Sequence, residues 1–197
     1  SRPRFSDNGD GTVTDNLSRL MWMKNAQCWT EMAWASANNQ ISALNTGTAS
    51  CDNYQANHSD WRLPTRHELS GLLDYSQANP ALAEGHPFTT VVTSGTSENP
   101  PYYWSQTVHS ESDQFVWTVD TSEGMVTSKV HAEVEVLGLV AKDLVWPVRA
   151  EELVISLPNP RFTDHADGTV SDHMSDLMWM KNAVCWEEAM TLSEALS

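Results

Sequence analysis

The sequence is short of basic residues and of long apolar runs, and each shortage excludes a class of protein. Lysine and arginine number 11 against 26 aspartates and glutamates, which gives a formal net charge of -15 at pH 7. Because no cluster of basic residues is present to meet a phosphate backbone, we expect no nucleic-acid partner. No apolar run reaches the roughly 18 residues that cross a bilayer, so we expect no membrane insertion.

Catalytic signatures are missing as well. The sequence contains no G-x-S-x-G, no H-E-x-x-H and no phosphate-binding loop. The histidines of the first 150 residues are scattered without metal-ligand spacing, at His58, His67, His86, His109 and His131. We therefore predict that the protein is not an enzyme.

One segment of the sequence occurs twice. Residues 3–29 read PRFSDNGDGTVTDNLSRLMWMKNAQCW and residues 160–186 read PRFTDHADGTVSDHMSDLMWMKNAVCW, with 19 of 27 positions identical. The offset of 157 residues is the size of a domain and too long for a solenoid repeat. We predict a complete module at residues 1–150, a linker at 151–159 and the N-terminal part of a second copy at 160–197. The parent protein is expected to continue with further sequence.

A second copy of this length cannot bury its own apolar residues, which include Phe162, Leu177, Met178 and Trp179. We expect these residues to pack on a neighbouring module or on another chain, for which strand exchange is one route.

Local patterns predict a hairpin at residues 4–15, turning at Asn8-Gly9-Asp10-Gly11, and a short strand at residues 20–22. Two helices and then further strands are expected after them. The first helix is expected from an N-cap at Thr30 to about Leu44, and the second from a capping box at Thr65 to about Tyr75. A long loop follows at residues 76–101. Strands are expected at residues 102–107, 114–121, 125–129 and 144–149, the last as a central strand. Helices and strands are segregated along the chain, which predicts an α+β fold.

Seven short motifs occur in one order: DNGDGTVTDN, LMWMKNA, DWRLPTRHEL, NPAL, GHPF, YYWSQT and LVWPVR. Over residues 4–149 they resemble the C-terminal domain family of Legionella-type collagen-like proteins. That resemblance implies a C-type-lectin-like fold, with two helices packed on a small twisted antiparallel sheet and a long loop region that presents the ligand surface. It also implies surface or secreted binding of glycans or of host and matrix molecules.

Cys28 and Cys51 flank the first predicted helix, and Cys185 repeats Cys28. A metal or catalytic pair is the alternative, but the spacing fits no metal motif. We predict a structural disulfide between Cys28 and Cys51, which favours an oxidising location that is extracellular, on the cell surface or periplasmic. Cys185 is then free or paired between chains.

Asp7, Asp10 and Asp15 are all repeated in the second segment. They suggest a calcium site, because calcium takes several oxygen ligands from one tight loop. The alternative is hairpin-turn chemistry, in which the carboxylates accept hydrogen bonds from their own backbone. No other cofactor is expected.

The long loop and the strands after it are the expected ligand surface by analogy with the implied fold. The residues assigned to it are Glu98, Asn99, Tyr102, Tyr103, Trp104, Trp117 and Asp120. The sequence thus predicts an adhesin-like, extracytoplasmic binding module of a tandem-repeat bacterial protein, whose ligand is a glycan or a protein. The alternative is a structural stalk or filament module that packs copy to copy.

Overall fold

A computed structural model describes residues 3–93, 101–131, 140–150 and 159–182. Contacts divide the chain into two compact units, Ser1–Leu153 and Val154–Ser197. We call them unit 1 and unit 2. Glu98, Asn99, Cys185 and most of the predicted linker lie outside the described residues.

The described part of unit 1 holds seven strands and two helices. In chain order they are β1 (Phe5–Asp7), β2 (Thr12–Asp15), β3 (Leu20–Met23), α1 (Trp34–Asn45), α2 (Arg66–Leu72), β4 (Tyr102–His109), β5 (Ser112–Asp120), β6 (Val126–Val130) and β7 (Val148–Ala150).

The first sheet of unit 1 has the antiparallel order β1-β2-β3-β7. A tight turn joins β1 to β2, and Gly9 and Gly11 both have positive φ there. Val13, Trp22 and Val148 stand opposite one another across three strands and are fully buried. One face of this sheet therefore belongs to the core.

The second sheet has the antiparallel order β4-β5-β6. Its three strands confirm the strands predicted near residues 102–107, 114–121 and 125–129. The central strand predicted at 144–149 is wrong, because only Val148–Ala150 pairs as a strand and it forms an edge of the first sheet. Pro147 has no N–H for a ladder and limits the strand at that point.

The second helix begins as predicted. Thr65 Oγ1 accepts a hydrogen bond from the Glu68 N–H at 3.2 Å, and Glu68 Oε2 accepts one from the Thr65 N–H at 2.7 Å, which completes the capping box. Arg62 also pairs with Glu68 at 2.7 Å. The helix ends at Leu72 instead of Tyr75, because Leu73 turns extended and bridges to Leu82.

The first helix begins later than the sequence indicated. Its N-cap is Ala33, without a side-chain hydrogen bond, and the predicted N-cap Thr30 lies outside it. The reason is tertiary, since Met32 forms an antiparallel bridge with Asp143 and is thereby held extended. Within the helix, Ala37, Ile41 and Leu44 are buried and form its inward face.

The predicted α+β, C-type-lectin-like fold is wrong. The structure is mostly β, with three antiparallel sheets and only two short helices of 12 and 7 residues in the described chain. The hairpin and short strand predicted at residues 4–15 and 20–22 are present, but β7 extends them to a four-stranded sheet, and both helices are shorter than predicted. The sequence prediction therefore overestimated the helical layer.

The core of unit 1 is built on aromatic residues. Trp22 packs edge-on against Trp146 with ring centroids 5.6 Å apart, and Phe88 packs against the same Trp146 ring at 4.9 Å. The Trp146 indole N–H donates to the Met23 carbonyl at 2.8 Å. Edge-to-face contacts of this kind add to the burial of apolar area.

The predicted disulfide is confirmed. Cys28 and Cys51 are bonded across 23 residues, with their Cα atoms 4.9 Å apart. The bond ties the segment before α1 to the segment after it, and Cys51 itself is buried in the core. Helix α1 is thus held at both ends.

Unit 2 contains a three-stranded antiparallel sheet of β8 (Phe162–Asp164), β9 (Thr169–Asp172) and β10 (Leu177–Met180). Its register repeats that of β1, β2 and β3 with the offset of 157 residues. Phe162 stands opposite Asp172 as Phe5 stands opposite Asp15. The repeated sequence therefore forms the same local structure in both places.

We predict that Gly11→Ala destabilises unit 1 much more than Gly9→Ala. Both glycines have positive φ, which costs other residues about 1–2 kcal/mol. A Cβ on Gly11 would also lie 2.3 Å from the Asn53 carbonyl oxygen and 2.5 Å from the Tyr54 Cα, whereas no described atom lies within 4 Å of a Cβ on Gly9. Urea unfolding of the two variants measures the difference. Equal losses of unfolding free energy in the two variants would contradict the prediction. They would show that the loop at Asn53 moves aside for the added Cβ without cost.

Candidate functional site

Three of the predicted ligand residues lie in the core. Tyr103 and Trp104 are fully buried, and Tyr102 is 7% exposed. The Trp104 indole N–H donates to the Met32 carbonyl at 2.7 Å. Strand β4 is covered on both faces here, so these three rings offer no stacking surface to a ligand. This corrects their assignment to the ligand surface.

The Asp120 side chain stabilises a turn. Its carboxylate accepts hydrogen bonds from the Ser122 N–H at 2.7 Å, from the Ser122 hydroxyl and from the Glu123 N–H at 3.3 Å. Its side chain is buried beside the hairpin that leads from β5 to β6. The structure therefore uses Asp120 to stabilise this hairpin, which also corrects its assignment as a ligand contact.

Among the predicted ligand residues that the structure describes, Trp117 is the one that reaches the surface. It lies half-buried on β5, on the opposite side of the strand from the buried Val116 and Thr118. The His109 ring stacks on it with centroids 5.1 Å apart and planes 24° apart. The Arg66 guanidinium lies 4.5 Å from the centre of the same indole. Trp117 is thus an aromatic centre with a cationic and an imidazole neighbour.

An open cavity of about 310 Å³ is lined by the His109 ring that stacks on Trp117. We call it the His109 cavity, and its lining residues are His109, Glu111, Ser112, Phe115 and Ser128. Ser128 stands directly opposite Trp117 in the β5–β6 register, and Phe115 shares the Trp117 side of β5 because alternate strand residues share a face. The cavity therefore joins aromatic carbon to hydroxyl, imidazole and carboxylate groups.

This combination suits an amphipathic ligand. An aromatic ring can stack against the C–H face of a sugar or against an apolar side chain. The serine hydroxyls donate and accept hydrogen bonds, and the Glu111 carboxylate accepts them. The lining thus offers an aromatic surface together with hydrogen-bond donors and acceptors.

The three predicted calcium ligands are engaged by nearby protein groups. Asp7 accepts a hydrogen bond from Lys24 Nζ at 2.6 Å, which lowers the pKa of that carboxyl. Asp10 accepts from the Thr12 N–H at 3.0 Å. The Asp15 carboxylate accepts hydrogen bonds from the Leu17 N–H and the Ser18 hydroxyl of the turn that follows it. In the described chain no three His, Cys, Asp or Glu side chains group as a metal site. These contacts favour the hairpin-turn alternative.

A second, polar cavity was missed by the sequence reasoning. It measures about 300 Å³ and is lined by Gly9, Gly11, Lys24, Asn25, Asp52, Asn53, Gln55 and Thr89. No aromatic ring contributes to this lining. The signal that pointed to it is the recurrence of Asp-Gly and Lys-Asn in both copies of the repeat, but turn chemistry explains the same recurrence.

Comparison with known families decides the identity of unit 1. The model of the Lcl C-terminal domain family matches residues 11–149. The chain belongs to this family. The match confirms the resemblance indicated by the seven motifs, and no curated protein matches the chain. Among the helices described for this Lcl C-terminal domain, none is long and apolar enough to cross a membrane.

The Lcl C-terminal domain also contains a buried ion pair that sequence reasoning missed. Asp143 is 2% exposed, its Oδ1 pairs with Lys129 Nζ at 2.5 Å, and its Oδ2 has no hydrogen-bond partner among the described residues. Lys129 Nζ lies 4.3 Å from the centre of the Tyr102 ring. Burial raises the pKa of Asp143 to about 7, against the opposing effect of Lys129.

We predict that Asp143 makes folding stability fall as pH rises from about 4 to about 7. The folded pKa of about 7 lies above the ordinary value of 3.8, so the folded state holds a proton that the unfolded state has lost. The stabilisation from the Asp143 carboxyl group is complete below its ordinary pKa of 3.8. It is lost as the pH rises to the folded-state pKa of about 7. The slope reaches about 1.4 kcal/mol per pH unit in this window.

Urea unfolding across the pH range, compared between the native chain and Asp143→Asn, isolates this contribution. Because Lys129 lowers the pKa of Asp143, Lys129→Met should extend the loss to higher pH. Parallel curves for the native chain and Asp143→Asn would contradict the prediction.

Proposed function

We propose that this module is an adhesin-like binding domain whose ligand is a glycan held at Trp117 and the His109 cavity. The observation that carries the proposal is an open cavity in which the Phe115 ring lies among hydroxyl, imidazole and carboxylate groups, next to the stacked His109 and Trp117 rings. A sugar ring presents C–H groups on its face and hydroxyls on its rim, and this surface offers partners for both.

The negative charge of the protein restricts the class of glycan that the cavity can bind. The chain carries a formal net charge of -15, and Glu111 lines the cavity itself. A sulfated or otherwise strongly anionic glycan would be repelled by both. Neutral or amino sugars fit better, since Glu111 can accept hydrogen bonds from their hydroxyl or ammonium groups.

An extracytoplasmic location supports the same proposal. The Cys28–Cys51 bond of this module is typical of proteins that fold in an oxidising compartment. A secreted, cell-surface or periplasmic protein meets glycans of its own cell, of a host or of a matrix. A tandem array of such modules would gain avidity from repeated weak contacts.

A glycan array probed with the whole chain tests the proposal, with calcium and again with a chelator. We expect selective binding to neutral or amino sugars. Glu111→Ala and His109→Ala should each weaken the binding about tenfold, the loss expected when a hydrogen bond to a charged group or a ring contact is removed.

Two control variants match these changes in chemistry but lie away from the cavity. Glu123→Ala removes an exposed glutamate at the β5–β6 turn, and His67→Ala removes an exposed histidine of α2. Both should bind as the native chain does. Binding that the control variants and the cavity variants lose equally would remove the His109 cavity as the site. Binding that a chelator abolishes would show that a metal takes part and would revive the acidic turn.

A structural role is the second candidate, and one observation favours it. Unit 2 exposes several large apolar side chains, among them Phe162, at 54% exposure, and Trp179, at 57%. Apolar surface of this kind favours packing against protein. A folded chain that binds no glycan on the array but self-associates through unit 2 would support a stalk or filament module.

A further inference from the structure

The polar cavity of about 300 Å³ in unit 1 is assembled from four separate segments of the chain. Its walls come from the turn of the first hairpin, from the two residues after β3, from the segment that follows Cys51, and from Thr89. All of the lining residues belong to the described part of unit 1. Because small-molecule sites measure about 300–1,000 Å³, this cavity is large enough for one small ligand unit.

Backbone hydrogen bonds hold these walls together. The Gln55 N–H donates to the Asp10 carbonyl at 2.8 Å, which joins the segment after the disulfide to the hairpin turn. The Lys24 N–H donates to the Gly11 carbonyl, and the Thr89 N–H donates to the Lys24 carbonyl, both at 2.9 Å. A ligand therefore meets walls whose backbone is already fixed, which lowers the entropy lost on binding.

Two further constraints bring the walls close to one another. The Cys28–Cys51 bond links the segment after β3 to the segment that supplies Asn53. The hairpin approaches that segment so tightly that a Cβ on Gly11 would lie 2.3 Å from the Asn53 carbonyl oxygen. The cavity is thus bounded by one covalent bond and by one contact that only glycine permits.

Several polar side chains of the lining are not used by the fold. Asp52, Asn53 and Gln55 are exposed, and the side chain of none of them forms a hydrogen bond or an ion pair with a residue that the structure describes. The Asn25 Oδ1 atom accepts a hydrogen bond from the Gln27 N–H at 2.9 Å, while its Nδ2 group donates to no described residue. Two walls of one cavity therefore carry hydrogen-bonding groups that a ligand can engage.

The charges of the lining disfavour an anionic ligand. Lys24 Nζ pairs with Asp7 Oδ2 at 2.6 Å, so the lysine charge is already balanced by a carboxylate. The Asp52 carboxylate has no cationic partner among the described residues, and the whole chain carries a formal net charge of -15. Both would repel a phosphate, a sulfate or a carboxylate group.

The neutral groups of the lining match hydroxyls. A side-chain amide provides two N–H donors and one carbonyl acceptor, and the cavity has three amides, from Asn25, Asn53 and Gln55. The Thr89 hydroxyl adds a further donor and acceptor, and Asp52 accepts only. A sugar hydroxyl also donates and accepts, and a sugar ring carries several of them side by side.

We propose that the polar cavity is a second carbohydrate site, which holds one neutral sugar residue through its hydroxyl groups. The Asp52 carboxylate accepts hydrogen bonds from the sugar hydroxyls, and the amides of Asn25, Asn53 and Gln55 both donate to them and accept from them. No aromatic side chain belongs to the described lining, so the ring is recognised by its rim. The polar cavity shares no lining residue with the His109 cavity, and the two sites are therefore tested separately.

Titration of the whole ¹⁵N-labelled 197-residue chain with methyl α-glucoside, methyl α-mannoside and methyl β-galactoside tests the proposal by NMR. The method detects weak binding, and it observes the side-chain amides of Asn25, Asn53 and Gln55 directly. At least one of the glycosides should produce saturable shifts at these amides and at the backbone N–H groups of the first hairpin turn. Gln55→Ala and Asp52→Ala should each weaken that binding about tenfold, the loss expected for one hydrogen bond.

Gln77→Ala is the matched control. Gln77 is exposed like Gln55, and its backbone N–H is likewise bonded, to the Asp74 carbonyl at 2.9 Å, but it does not line the polar cavity. This variant should bind the glycoside as the native chain does. Equal losses in Gln77→Ala and Gln55→Ala would overturn the proposal, as would binding that is insensitive to both Gln55→Ala and Asp52→Ala.

The variant His109→Ala separates this site from the His109 cavity. Shifts at the polar cavity that persist in His109→Ala support the proposal, whether or not the His109 cavity binds a glycan. Saturable shifts confined to the lining of the His109 cavity would overturn it. The absence of saturable shifts with all three glycosides, in a chain whose spectrum is that of the folded protein, would overturn it as well.

Discussion

The pairing of β3 with β7 is the constraint on which unit 1 depends. It joins residues near the beginning of the module to residues near its end, and the Trp146–Met23 hydrogen bond spans 123 positions of sequence. Closing so long a loop costs entropy that grows only slowly with length. The burial of Trp22, Trp146 and Phe88 against one another offsets that cost, and the rest of the core is arranged around this aromatic cluster.

In the second sheet, the burial of β4 determines which aromatic side chains are left at the surface to contact a ligand. Because β4 is covered on both faces, Tyr103 and Trp104 are used as core, and Trp117 on β5 is left at the surface between Arg66 and His109. The side chains of the His109 cavity come from the β4–β5 hairpin and from β6, so the cavity depends on the register of the three strands. The proposed glycan site is therefore a product of strand pairing.

The repeated hairpin separates local from tertiary effects within one molecule. Its turns, register and ion pairs are the same in both units, so short-range sequence is sufficient to form them. The burial of Trp22 and the exposure of Trp179 differ because only Trp22 has β7 and Trp146 beside it in the described structure. Packing partners, and not the strand itself, make this face a core.

Sequence patterns were sufficient to predict the features that depend on neighbouring residues or on one covalent bond. The family, the Thr65 capping box, the glycine turn of the first hairpin and the Cys28–Cys51 disulfide belong to this class. The balance of sheet to helix, the late start of α1 at a bridge between Met32 and Asp143, and the exposure of each tryptophan depend on tertiary contacts. These features depend on residues 70 to 130 positions apart in the chain, and a local pattern carries no information about which distant segment will cover it.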